Sequence, residues 1–479
     1  MRAGARSAPV ALALLLGACT LHACNLGDVA APRVDATGTA VVVVPPRDFV
    51  SGSRLRARYH VVEGVVEVLA GWHDVILDAD CAFEGQDGVH VGPGGTSYCV
   101  PDGVARHRED VGPYLDKACT MPVARAPMAG PATYAMVEPN DACATAPEVH
   151  RALPPMTRRT FTRDGGGACV ASGSAIVQAL GELAPPDTFV SAVEAIEIRP
   201  GRIGVRVLVG SDGSRHTIGG YDLVRSEAVR VGATPNGTLR WLPARPAFVG
   251  AGEPLFADAT CTVQIASKIG RTATCPLTAV IALEGLCGTG KLFALGSTLE
   301  SVFRLDAKNA CVAGLPAGLL AYRVGAPIED EAFEPVVATD VGTSRVRRRG
   351  AGARGDTPVT WTDLIDGVTS EPCAVYPIAD GSLRCLPAAS AGVAFFADPG
   401  CSEPAFALPT GCEAGADAHF VHDSFDVATR AFEVVRPIAT IYEVAATGCA
   451  RFTPTVPSRL YAVKEIDVTT FALVTELVE

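Results

Sequence analysis

The sequence predicts an all-β protein, and three observations carry that prediction. Short runs rich in β-branched and aromatic residues recur throughout, such as RLRARYHVV (54–62), FVSAVEAIEI (189–198), LLAYRV (319–324) and FALVTELVE (471–479). They are broken by Gly, Pro, Asp and Asn, the punctuation of strands and turns. No 12-residue window combines a clean i, i+3, i+4, i+7 apolar pattern with caps. The nearest, ASGSAIVQALGELA (171–184), would make one short helix at most. Finally, a set of landmarks recurs three times in the same order, which is the signature of a repeat architecture.

The first element of the chain is an address. Arg2 and Arg6 form a positive n-region, and Ala8 to Leu16 form an apolar stretch too short to span a bilayer. LGAC (16–19) follows, so 1–18 is expected to be a signal peptide, Cys19 the site of lipid attachment and 19–38 a tether. LHAC, ending at Cys24, places the bulky His22 where a small residue is usual. Two or more acyl chains anchor stably without a transmembrane helix. Losing Arg2 and Arg6 takes the formal charge from −12 to −14. An acidic chain with no basic block argues against nucleic acid and against anionic lipid bound by charge.

Three repeats of about 143 residues follow, 39–194, 195–337 and 338–479. Each opens with an arginine-bearing strand: SRLRAR (53–58), GRIGVR (201–206) and SRVRRR (344–349). GWHDVI (71–76), GGYDLV (219–224) and TWTDLI (360–365) come next, then GTSYCVP (95–101), GTLRWLP (237–243) and GSLRCLP (381–387). An aromatic-x-Asp-x-x-Cys element closes the series, as YLDKAC (114–119), FADATC (256–261) and FADPGC (396–401). A further cysteine stands 50, 50 and 48 residues beyond, at Cys169, Cys311 and Cys449. Asp116, Asp258 and Asp398 are expected to cap turns at strand ends, with a site used three times as the alternative.

Sixteen cysteines in an exported chain read as disulfides, and no C-x-x-C pair supports zinc or thioredoxin-type chemistry. Repeat 1 has Cys81 and Cys99, and repeat 3 has Cys373 and Cys385. In repeat 2 both positions lack cysteine, with Val229 and Trp241 in their place. Paired loss predicts Cys81–Cys99 and Cys373–Cys385, because a single leftover thiol is a liability in an oxidising compartment. The spacing of the remaining cysteines does not assign their partners.

Two architectures fit three such repeats: a β-propeller-like array in one closed domain, or three tandem β-sandwiches. The joins at 187–199 and 331–343 are strand-like rather than linker-like. The chain ends on TTFALVTELVE (469–479), the strand that would begin a fourth repeat, and TAVVVV (39–44) could pair with it to close a ring. These features favour the propeller-like array.

Other motifs carry less. GLCGTGKL (285–292) has Leu292 where a P-loop needs Ser or Thr, and its lysine opens a strand-like run. RGD (354–356) lies in Arg/Gly-rich sequence, where such tripeptides arise by composition. Asp78, Asp80, Glu84 and Asp87 lack the spacing of a calcium loop and read as a polar turn. His419 and His422 fall on opposite faces of a strand. His60, His73, His107 and His216 have no partner that sequence identifies. No G-x-S-x-G or H-E-x-x-H occurs, and ASGSA (171–175) falls short of a nucleophile elbow. No catalytic, cofactor or metal residues are therefore assigned.

LGAC, together with SRLRARY, GWHDVILDADC, GSLRCLP and FFADPGC, resembles the uncharacterised exported lipoproteins of GC-rich Gram-negative bacteria that carry repeated, cysteine-containing all-β units. The resemblance covers roughly 50–479 and brings no activity with it. It implies attachment to the outer membrane and the repeated architecture only; a binding or scaffolding role toward protein, peptide or glycan is the reading that a rigid repeat face with variable loops suggests. The alternatives are a polysaccharide-active enzyme using a carboxylate pair and a purely structural envelope protein. A carboxylate cluster in one repeat only would favour catalysis, whereas residues repeated in all three would favour a scaffold.

Overall fold

The computed structural model describes residues 47–479 apart from 65, 84–95, 110–111, 128–129, 139–146, 164–167, 235, 245, 250–253, 270–278, 283–290, 307–308, 315–318, 343, 354–357, 390–392, 394, 410–418, 424–428, 446–447 and 455–457. Cys19, Cys24, the 39–44 run, Glu84, Asp87, Cys143, Cys275, Cys287, Cys412, the RGD tripeptide and most of GLCGTGKL lie outside the described residues.

The first strand shows why this sequence makes sheet. In β1 (Leu55–Val62), Leu55, Ala57 and Tyr59 are buried while Arg56, Arg58 and His60 stay partly exposed, a period-2 pattern that only a strand can present. Four antiparallel strands come from each repeat: β1, β2 (Val66–Asp74), β3 (Ala79–Phe83) and β4 (Thr96–Pro101) from the first. A linking strand, β5 (Ser191–Glu197), pairs with β4 on one side and with the next repeat on the other. Repeat 2 supplies β6 (Ile203–Gly210), β7 (Arg215–Asp222), β8 (Glu227–Ala233) and β9 (Leu239–Pro243). The second linking strand is β10 (Val337–Val341), followed by β11 (Val346–Gly352), β12 (Thr360–Asp366), β13 (Glu371–Pro377) and β14 (Leu383–Pro387). The C-terminal strand β15 (Leu473–Val478) is the third linking strand. It pairs with β14 and, across the whole length of the chain, with β1.

These strands belong to a 16-stranded sheet whose sixteenth member, Phe49–Val50, pairs with β7. The two ends of the strand path also meet. Arg240 of β9 bridges Pro335 just before β10, Trp241 N–H donates to the Glu334 carbonyl and Val336 N–H donates to the Leu239 carbonyl. The hydrogen-bonded order therefore runs full circle. Every neighbour in it is antiparallel, and an odd cycle cannot alternate up and down about one axis, so this is no simple barrel. The sheet instead wraps three cores.

Each core is shared between neighbouring repeats. Leu55, Trp72, Phe83 and the Cys81–Cys99 disulfide pack with Leu208 of repeat 2. Ile203, Val229 and Trp241 pack with Ala351 and Val359 of repeat 3. Val346, Leu364 and the Cys373–Cys385 disulfide pack with Val62 and Val66 of repeat 1. The all-β class expected from the sequence is what is found. Its strands are joined edge to edge rather than divided among separate blades, and none of these three cores is confined to one repeat.

Between β4 and β5 repeat 1 carries a smaller sheet, in which Ala105–Arg108, Val123–Arg125, Tyr134–Glu138, Glu148–Ala152 and Cys169–Leu183 close on themselves and Met156–Arg163 adds an edge. A closed five-stranded barrel occupies the same place in repeat 2, and a seven-stranded sheet in repeat 3. Of residues 171–184, the nearest approach to a helix in the sequence, 171–183 are strand within Cys169–Leu183. Pairing with three neighbouring strands overrides the helix-forming alanines and leucines there. Gly181 sits so close to Arg151 that an added Cβ would lie 2.8 Å from its carbonyl oxygen.

Candidate functional site

The repeated aspartates form turns. Asp116 Oδ1 accepts from the N–H groups of Thr120 and Met121 at 2.9 and 2.7 Å, and Oδ2 accepts from Ala118 N–H and the Thr120 hydroxyl. Asp258 accepts in the same way from Thr262 and Val263, and Asp398 from Ser402 and Glu403. These donors hold all three carboxyls below the usual range: chiefly Met121 N–H at Asp116, the Thr260 hydroxyl at Asp258 and Glu403 N–H at Asp398. The cysteine of each motif sits at positive φ (51°, 53° and 52°) and bonds to the later one: Cys119–Cys169, Cys261–Cys311 and Cys401–Cys449. Both oxygens of each aspartate are occupied by its own turn, so the motif staples a satellite sheet.

A second threefold device ties each first hairpin to the turn that leads into the next linking strand. Arg54, Arg202 and Arg345 pair with Asp74, Asp222 and Asp366 at 2.7, 2.6 and 2.9 Å. The same guanidiniums donate to the carbonyls of Thr188, Ala332 and Thr470, each closing a 3-10 turn. A third device follows β-bulges at Arg58, Arg206 and Arg349. Each of these arginines bonds an acid on a linking strand: Arg206 Nε to Glu194 at 2.7 Å, Arg349 Nε to Asp340 at 2.7 Å and Arg58 Nε to Glu476 at 2.8 Å. The Arg206–Glu194 pair is almost wholly buried.

At Arg58 the third device forms part of a larger polar cluster. Arg58 Nη1 also lies 3.0 Å from Asp80 Oδ2 and 3.6 Å from Asp102 Oδ2. His73 Nδ1 lies 3.0 Å from Asp80 Oδ1, its Nε2 is 3.6 Å from Asp78, and His60 Nε2 is 3.8 Å from Glu476. Strand register supplies the counterparts. Asp80 corresponds to Ala228 and Pro372, and Asp102, whose N–H donates to the Asp80 carbonyl, corresponds to Ala244 and Ala388. His73 is replaced by Tyr221 and Ile365, and His60 by Leu208 and Ala351.

Partial burial lifts the Asp102 carboxyl above the ordinary aspartate range, with Arg58 opposing and Asp80 adding to the effect. Burial likewise lowers the His60 pKa against the pull of Glu476. Three carboxylates around one guanidinium leave acceptor capacity for a cationic or hydroxyl-bearing ligand, and two aspartates in unlike surroundings could divide acid and base roles.

Other sequence-flagged residues are elsewhere. Asp78 and Asp80 belong to the cluster, so the stretch read as a polar turn carries part of it. His107 and His422 are buried, their Nδ1 atoms 3.0 and 2.7 Å from the Val123 and Pro387 carbonyls. His419 N–H donates to Glu371, away from His422. Lys291 and Leu292 begin the strand Lys291–Thr298. Among the described residues no three His, Cys, Asp or Glu are placed to hold a metal ion. The signal that would have exposed the Arg58 cluster is a comparison of the repeats for positions where one alone is polar.

No curated protein and no solved structure matches the chain. Residues 186–405, which begin at the 3-10 turn before β5 and do not include the Arg58 cluster, are similar to a family of unknown function, DUF7481.

Proposed function

We propose that this chain is an exported binding module of the cell envelope, held at the outer membrane through lipid on Cys19, that takes a cationic or hydroxyl-rich peptide or glycan at the Arg58 cluster of repeat 1. The observation that carries the reading is the broken symmetry. His60, His73, Asp80 and Asp102 stand where the other repeats place apolar or aromatic side chains.

Calorimetric titration of the full chain with peptidoglycan fragments, a neutral oligosaccharide and a lysine-rich peptide tests the proposal. Binding that weakens about tenfold or more in Asp80→Asn/Asp102→Asn, a loss of roughly 1.4 kcal/mol, supports the site. Binding that the double variant leaves unchanged refutes it, and binding to none of the probes favours a purely structural envelope role. The raised Asp102 beside Asp80 favours, as second reading, a carbohydrate-active enzyme using this carboxylate pair. Release of reducing ends from polysaccharide, abolished in Asp102→Asn, would establish it.

A further inference from the structure

A tight turn joins β8 to β9, and its tip is Asn236 followed by Gly237, both exposed. Gly237 stands at φ 81°, a conformation that glycine adopts without steric cost. Thr234 N–H donates to the Thr238 carbonyl at 3.0 Å, and Gly237 N–H donates to the Thr234 carbonyl at 2.8 Å. The Asn236 side chain folds back over its own turn. Its Oδ1 accepts from Thr238 N–H at 2.9 Å and from the Thr234 hydroxyl at 2.8 Å.

Repeat 3 builds the same turn between β13 and β14 with a carboxylate in that place. Asp380 Oδ1 accepts from Ser382 N–H at 2.8 Å, Ile378 N–H donates to the Ser382 carbonyl, Gly381 N–H donates to the Ile378 carbonyl, and Gly381 has φ 82°. The Ser382 N–H holds the Asp380 carboxyl below the ordinary aspartate range, so this turn favours an ionised acid at its tip.

We propose that Asn236 is a self-modification site, whose side-chain amide becomes a carboxylate in the folded chain through attack by the Gly237 nitrogen. That nitrogen bonds to Asn236 Cγ and loses its proton to water. The bond from Cγ to Nδ2 breaks, the side-chain nitrogen leaves as ammonia, and a cyclic imide remains. Water then opens the ring at Cγ, restoring the peptide bond and leaving Asp, or at the main-chain carbonyl, leaving isoaspartate. The net reaction consumes water and releases ammonia. Glycine offers no side chain to screen the attacking nitrogen. Thr238 N–H and the Thr234 hydroxyl already point at Oδ1, the atom that gathers negative charge as the tetrahedral adduct forms. The Gly237 hydrogen bond to Thr234 must open first. It lies beyond the Ala233 and Leu239 pair that ends the β8–β9 ladder, so it opens without unpairing the strands. Asn309 is the contrast within the chain. It precedes Ala310, whose N–H is held at 2.8 Å by the Asp306 carboxylate, so a Cβ and a negative charge both oppose attack there. The Asp product fits, since Asp380 fills the equivalent place. Isoaspartate adds a carbon to the main chain and breaks the turn.

The test incubates the full, folded chain in heavy-oxygen water at mildly alkaline pH and digests it with trypsin in ordinary water, so that label marks conversion in the folded state alone. Mass spectrometry of the peptide 231–240, which trypsin releases between Arg230 and Arg240, should show the amide-to-acid change with heavy oxygen incorporated. The rate should exceed that at Asn309 by at least an order of magnitude. An unchanged or unlabelled peptide overturns the proposal, whether or not the same chain converts when unfolded in urea, because the native turn then protects Asn236. A rate equal to that at Asn309 overturns the part given to the turn. Asn236→Asp should unfold at the urea midpoint of the parent chain, and a lower midpoint overturns the fit of the product.

Discussion

The carboxylate of Asp258 is spent on its own turn, and this much could be read from sequence, because aspartate at a strand end followed by Thr or Ser is local chemistry. The Arg58 cluster could not be read that way. Arg58, Asp80, Asp102 and Glu476 are brought together by pairing across β1, β3, β4 and β15, and Glu476 lies 418 residues from Arg58. The surroundings of His216 are likewise set by residues distant in sequence. It is buried against Phe83 and Trp72, neither ring nitrogen has a partner among the described residues, and burial lowers its pKa from 6.5 to about 4. The unfolded chain therefore binds the extra proton between those values. The contribution is neutral above pH 6.5, and stability falls by about 1.4 kcal/mol per unit as pH drops toward 4. His216→Phe removes this dependence. In urea unfolding compared between pH 7 and pH 4.5, the parent chain should lose about 2–3 kcal/mol more than the variant.

Among elements, the strands were legible where apolar and polar residues alternate, as in β1, and misleading where composition favours helix, as at 171–184. The Cys81–Cys99 and Cys373–Cys385 staples followed from their joint absence in repeat 2. The three longer disulfides were foreshadowed by spacings of 50, 50 and 48 but not assigned, since a recurring distance along the chain does not say that its ends meet in space. The linking strands are locked by the bulge arginines, and burial sets how much each lock matters. Arg206→Ala leaves Glu194 buried without its partner and should cost about 3–5 kcal/mol. Arg58→Ala should cost less, because its carboxylate partners are 33 to 58% exposed and water screens the charges left behind. Equal losses in thermal unfolding would contradict this ranking.

At the scale of the whole molecule, β15 closes the order by pairing with β14 and β1, and Val474 packs with Val62, Val66 and Val346. The sequence pointed to this closure through its last strand, while the 39–44 run proposed to join it lies outside the described residues. What sequence could not supply was the sharing of cores, because side chains from neighbouring repeats meet only once the strand order is known. Deleting residues 473–479 should destabilise repeats 1 and 3 together, seen as matching losses of amide-exchange protection in β1 and β14. The most direct test of the shared frame uses the three tryptophans, Trp72, Trp241 and Trp361, one in each repeat. With the chain labelled with 5-fluorotryptophan, fluorine NMR follows each repeat separately through a urea titration. A frame whose cores interlock predicts that the three native resonances vanish at one common midpoint. Three separated midpoints would contradict it and return the molecule to independent domains on a string.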